Sequence, residues 1–217
     1  MTLENRTIAF LGDSITMGYG LSDPSCRYAT LVASALGMIE QNYGIAGTLV
    51  AQAGLNRSDG KDFVTRAPLI DGADVAVIFG GTNDYFWSDM PIHGRDVRYF
   101  EHAVRLLISH VLEKRQGKVT LFVTPYPHNG VGNFFGGAKW NESSRHDTDA
   151  PNYNGHTLQE YADVTRSLCA EHGLPTLDLF ADFGFRWQEH TLDGCHPNAQ
   201  GHALIANAVT AKLKTLL

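Results

Sequence analysis

A chain of 217 residues has room for one sizeable core, and 43% hydrophobic with 18% charged residues is a globular balance rather than a disordered one. Its 17 basic and 23 acidic side chains leave a formal charge of −6 with no Lys/Arg cluster, which argues against nucleic acid or an anionic membrane as a partner. No stretch approaches the roughly 18 apolar residues that span a bilayer.

Short apolar runs alternate with longer stretches of helical period, the pattern of a parallel sheet with crossover helices. The first strand is expected over Thr7–Leu11 and runs into Gly12-Asp13-Ser14-Ile15-Thr16. A serine there stands at the edge of the sheet where reactive groups gather, with its backbone N–H available to an oxyanion. Tyr28, Leu31, Val32, Ala35 and Leu36 then form a helical stripe that Gly37 ends. The second strand, Ile39–Tyr43, leads to Gly44-Ile45-Ala46-Gly47, where Gly47 allows a turn that aims another N–H at the serine. The third, Asp74–Phe79, leads to Gly80-Gly81-Thr82-Asn83-Asp84. Asn83 carries a side-chain donor for the same oxyanion, and Asp84 is placed either to hold the loop through backbone bonds or to meet substrate. Asp13 is a second candidate for substrate contact.

Further on, Phe100, Val104, Leu107, Ile108 and Val111 make a second helical stripe, followed by a fourth strand at Val119–Thr124. From Tyr126 to Gly155 the period lapses amid glycines, which predicts a long loop near the active site acting as a lid or substrate wall. A third stripe, Leu158 to Cys169, ends at Gly173; the fifth strand is expected over Pro175–Leu179, and a last stripe runs from Leu204 to Leu216. Before that last helix stands Asp193-Gly194-Cys195-His196-Pro197-Asn198. Asp and His three positions apart in a tight turn can face one side, so that Asp193 fixes the tautomer in which His196 is a base. A serine hydroxyl needs such a base to become a nucleophile.

Together the blocks Gly-Asp-Ser, the glycine after strand two, Gly-x-Asn-Asp and Asp-x-x-His resemble the SGNH hydrolases, also called GDSL esterases and lipases, in that family's order from Ile8 to Gly201. The resemblance implies a flavodoxin-like, three-layer α/β/α sandwich on a five-stranded parallel sheet, in one hydrolase domain over 1–217, with no nucleotide cofactor and no metal. It implies Ser14 as nucleophile, His196 as base and Asp193 as its orienter. It further implies an oxyanion hole of the Ser14 and Gly47 N–H groups and the Asn83 side chain. The departures are Ile15 where leucine is frequent and Cys195 at a variable position.

These residues predict a serine esterase acting on a small-molecule ester through an acyl-serine intermediate. Short acyl chains, acetylated carbohydrates among them, are favoured over lysophospholipids or thioesters because the loops are polar and no amphipathic lid helix is visible. A non-catalytic ligand-binding module is the alternative from another class. Trp87, Trp140 and Trp187 lie in or near active-edge loops, where an aromatic face can stack on a sugar or line an acyl pocket. Gly130-Val131-Gly132 lacks the rest of a dinucleotide fingerprint, and His128, His146, Asp147 and His156 show no recognised metal-ligand spacing. Cys26, Cys169 and Cys195 form no Cys-x-x-Cys pair, and Met1 to Gly12 lacks signal-peptide form, so a cytoplasmic protein is expected unless a leader was removed. The sequence leaves open whether it forms a homo-oligomer.

Overall fold

The computed structural model describes residues 5–53, 60–128, 151–152, 154–181 and 183–217. Five parallel strands, β1 (Thr7–Gly12), β2 (Ile39–Gly44), β3 (Val75–Phe79), β4 (Val119–Val123) and β5 (Thr176–Leu177), lie side by side in the order β2-β1-β3-β4-β5. The helices are α1 (Ser14–Met17), α2 (Tyr28–Leu36), α3 (Phe63–Arg66), α4 (Thr82–Trp87), α5 (Phe100–Lys114), α6 (Leu158–Glu171), α7 (Trp187–His190) and α8 (Ala199–Lys214), with 3₁₀ turns at Pro24–Cys26 and Ala67–Ile70.

Alternation along the strands builds three layers. Ile8, Phe10, Val75, Val77 and Phe79 face a core closed by α2 and α8, whereas Ala9, Leu11, Ala76 and Ile78 face a second core closed by α5 and α6. Every residue of β3 is buried, as befits the middle strand of a parallel sheet covered on both faces. Each large apolar side chain so enclosed contributes about 1.5–3 kcal/mol of transfer free energy. This is the expected α/β/α sandwich.

From β1 the chain crosses to β2 on one side and later to β3 on the other. The carboxyl ends of β1 and β3 therefore flank the point where strand order reverses, the crevice in which open α/β sheets gather their reactive groups. Ser14 follows β1, and Asn83 follows β3.

The four expected helical stripes form α2, α5, α6 and α8, and Gly37 closes α2 in the left-handed conformation at φ 66°. In α2 the buried face adds Ala29 and Ala33 to the expected stripe; Leu31 is partly buried against the same core, and Ala35 is exposed. Strand five is shorter than the Pro175–Leu179 run. Its ladder stops where Asp178 accepts from the Thr124 hydroxyl and the Phe180 N–H, each at 3.0 Å, so side chains replace main-chain pairing. Of the long loop expected over 126–155, residues 129–150 and 153, with Trp140, His146, Asp147 and the Gly130-Val131-Gly132 run, lie outside the described residues. Among the described residues no helix is long and apolar enough to cross a membrane.

Candidate active site

β1 ends at Gly12, where a Cβ would sit 1.9 Å from the Thr16 hydroxyl, so only glycine lets the chain turn this tightly into α1. Asp13 caps that turn, its Oδ1 accepting from the Ile15 N–H at 2.9 Å. Ser14 is thereby set at the first position of a one-turn helix, 7% exposed.

The partner loop lies 182 residues further along the chain. An antiparallel bridge between Thr191 and Pro197 closes it, and the Leu192 N–H donates to the His196 carbonyl at 2.8 Å. Gly194 turns at φ 88° inside it. Asp193 folds back over the turn and accepts with Oδ1 from the N–H groups of Cys195 and His196, at 3.0 and 2.7 Å. Its Oδ2 stands 2.7 Å from His196 Nδ1, and His196 Nε2 stands 3.0 Å from Ser14 Oγ. With Nδ1–H directed at the carboxylate, Nε2 is left to accept the serine proton. Burial raises the Asp193 pKa, but the hydrogen bonds and charge of His196 and the Cys195 N–H outweigh it and hold the carboxyl below its usual value.

Asn83 Nδ2 donates to the Thr48 carbonyl at 3.1 Å and to Asp13 Oδ2 at 3.3 Å, which ties the end of β3 to both the Ser14 turn and the residue after Gly47. Gly47 itself adopts φ 72° in the turn that follows β2. Two expectations of substrate contact give way here. Asp84 is 0% exposed and spends both oxygens on the Val50 and Ala51 N–H groups, at 2.8 and 3.0 Å; it holds the loop and does not face a ligand. Asp13 is 1% exposed and is spent on Ile15 and Asn83. Burial pushes Asp84 up to about 7 and Asp13 up to about 6, against the pull of those backbone N–H groups. Trp87 is half-buried at the end of α4 and packs with Phe86 against the core; Trp187 is half-buried at the start of α7.

Three further residues stand at the site that the sequence did not assign to it. The Tyr19 ring lies 4.7 Å from the His196 imidazole, centroid to centroid. The Tyr126 hydroxyl donates to the Cys195 carbonyl at 2.6 Å and so pins the partner loop to the end of β4. His128, 5.2 Å from Phe86, is buried, which with the nearby His196 lowers its pKa to about 3 and keeps it neutral. Their signals are single aromatic residues beside strand ends, a common pattern that specifies no partner. Cys195 is 2% exposed; burial and the charges of Asp193 and Asp13 push its thiol well above the usual range, so it is no rival nucleophile. All three cysteines are free.

A family model described as the GDSL-like Lipase/Acylhydrolase family matches residues 10–204. No curated protein matches the chain. Among solved structures, a protein from Lactobacillus plantarum superposes with a TM-score of 0.79 at 24% identity, 99% of each chain being covered. A possible lipase from Chitinophaga pinensis gives 0.71 at 20% identity, over 98% of this chain and 99% of that one. A carbohydrate acetylesterase family member from Sinorhizobium meliloti gives 0.69 at 19%, also over 98% and 99%. At these identities the likeness is one of fold.

Proposed function

This chain belongs to the GDSL-like Lipase/Acylhydrolase family and is a serine ester hydrolase, and from that premise we propose that it cleaves short-chain carboxylic esters through an acyl-Ser14 intermediate. The observation that carries the reading is the unbroken relay from Asp193 Oδ2 through His196 to Ser14 Oγ, with links of 2.7 and 3.0 Å.

Ser14 Oγ attacks the ester carbonyl while His196 Nε2 takes its proton, and the carbonyl electrons move onto oxygen. The N–H groups of Ser14 and Gly47 and one N–H of Asn83 receive that oxyanion. Asn83 releases its longer bond, the 3.3 Å contact to Asp13, to do so. The tetrahedral adduct collapses, the C–O bond to the alcohol breaks, and His196 returns the proton to the leaving oxygen. Water then attacks the acyl-serine with the same histidine as base, releasing the acid and restoring Ser14.

Acetyl esters of carbohydrates are the first substrates to try, since one neighbour in fold is named as a carbohydrate acetylesterase family member. Half-buried aromatic side chains at the site, Tyr19 and Phe86, suit a sugar face or a small acyl group. Ser14→Ala should lower turnover of p-nitrophenyl acetate by about 10⁴-fold or more without altering the circular dichroism spectrum, and should abolish labelling by a fluorophosphonate. Undiminished turnover would remove Ser14 from the mechanism. A preference for octanoyl over acetyl and butyryl esters would overturn the substrate class and leave the mechanism standing.

A further inference from the structure

The connection between β2 and β3 sends one side chain back beneath the site. Arg66, the last residue of α3, is only 6% exposed although it carries a cation. Its Nη2 donates to the Gly12 carbonyl at 3.1 Å and to the Thr48 hydroxyl at 2.9 Å, its Nη1 to the Tyr43 carbonyl, and its Nε to the Lys61 carbonyl at 2.6 Å. The guanidinium carbon also lies 5.0 Å from the centre of the Phe63 ring.

A cation is retained in such a place only where its donors are taken up, and the groups that take them up are informative. Gly12 stands two residues before Ser14 at the end of β1. Tyr43 is near the end of β2, paired with Leu11. Thr48 directly follows Gly47, and its own carbonyl holds the Asn83 amide. One rigid, planar fork therefore bridges the strand that presents the nucleophile and the turn that presents Gly47. Lysine, with a single flexible ammonium, cannot span the same set of acceptors.

We propose that Arg66 is a positioning residue that fixes the spacing between the Ser14 and Gly47 backbone N–H groups so that both converge on one oxyanion. The inference rests on the serine esterase reading above. Burial lowers the pKa of Arg66 to about 10, with Asp13 and Asp62 opposing the fall, so it remains a cation at neutral pH.

Arg66→Lys and Thr48→Val test it, each measured for kcat and KM with p-nitrophenyl acetate and for inhibition by a trifluoromethyl ketone that forms the tetrahedral adduct with a serine. A misplaced oxyanion donor should cost Arg66→Lys about 10- to 100-fold in kcat. KM should stay within about twofold, and affinity for the ketone should fall by the same factor as kcat. Thr48→Val removes one bond to the fork, together with the bond the Thr48 hydroxyl donates to the Ile45 carbonyl at 2.8 Å, and should show the same pattern at about threefold to tenfold. Wild-type kcat and ketone affinity in the folded variants would overturn the proposal. So would a KM that rises while kcat holds, since that marks a substrate contact. Should Arg66→Lys fail to fold, Thr48→Val decides by the same readouts. Ser14→Ala is run alongside. Turnover in that variant would sink the esterase reading itself, whereas an inactive Ser14→Ala beside unaffected Arg66→Lys and Thr48→Val sinks only the role of Arg66.

Discussion

Two regions of the site hold aspartates, and they treat the same side chain in opposite ways. On the loop before α8, Asp193 lies near the surface and accepts three N–H groups, one of them from an imidazole that can carry charge. Its pKa is held down in spite of burial. Beneath the ends of β1 and β3, Asp13 and Asp84 are sealed from water and accept mostly from neutral groups, and burial pushes both pKa values up. In the proposed mechanism Asp193 faces a group that gains positive charge during reaction, which gives it a part in the chemistry. Where a carboxylate's partners are backbone amides, it is part of the frame that holds the reacting groups in register.

The contrast breaks first, if it breaks, at Asp193. Asp193→Asn keeps the size of the side chain but offers its amide N–H₂ or a weaker acceptor to Nδ1, which releases control of the His196 tautomer. We expect kcat to fall by about 10³- to 10⁴-fold, with the midpoint of thermal unfolding shifted by only a few degrees. Comparable activity losses in Asp84→Asn, at unchanged stability, would erase the distinction between the two regions.

That distinction was only half legible in the amino-acid sequence. The strands could be read because buried parallel strands are near-continuous apolar runs, and α5 and α6 because their apolar residues recur at helical spacing. Asp193 and His196 could be read because one turn brings positions three apart to the same side, so that sequence distance and spatial distance agree. Asp13 was expected to meet substrate, and Asp84 either to meet it or to hold the loop, because Asp beside a candidate catalytic residue gives no sign of which way it points. Their partners, the N–H groups of Ile15, Val50 and Ala51, exist at every non-proline residue and leave no trace in composition. Arg66 escaped notice for the same reason, since three of its four acceptors are main-chain carbonyls. Strand five was overestimated because Leu177 and Leu179 flank Asp178 in the alternation of a strand, and nothing in the sequence shows that this carboxylate accepts from Thr124 and Phe180 where the ladder stops.

The second prediction sharpens the contrast through pH. Asp84 has a folded pKa of about 7 against an ordinary value of 3.8. The folded state therefore binds that proton more tightly than the unfolded chain does. The stabilisation it brings is complete below about pH 4 and is lost as pH rises through about 7; Asp13, at about 6, acts in the same sense. Asp193 acts oppositely, contributing above the ordinary carboxyl range and losing that contribution as pH falls. Asp84→Asn cannot ionise but replaces one acceptor oxygen by a donor, so one of the Val50 and Ala51 N–H groups loses its partner. At pH 5 the variant should be less stable than wild type by about 1–3 kcal/mol in urea denaturation. The gap should narrow at pH 8, where the wild-type carboxylate is forced to ionise in its buried site. A gap that widens with pH would mean that the ionised form is the stabilising one and that Asp84 behaves as Asp193 does.

The smallest effect is expected at Tyr126, which joins the two regions. Its hydroxyl reaches from the end of β4 to the carbonyl of Cys195, one residue before His196, and its ring is held 4.6 Å from Phe185. Tyr126→Phe keeps the ring packing and removes that hydrogen bond, leaving a carbonyl of the partner loop without this donor. The loop retains its bridge at Thr191 and Pro197 and the two bonds to Asp193 Oδ1, so it should keep its form. We expect a loss of about 1 kcal/mol in stability and about a twofold to fivefold loss in kcat, with KM unchanged. A kcat equal to wild type at lowered stability would show that Asp193 alone sets the position of His196. A loss approaching that of Asp193→Asn would show the reverse: the acid–base loop takes its geometry from the sheet beneath it, and the two regions are one device.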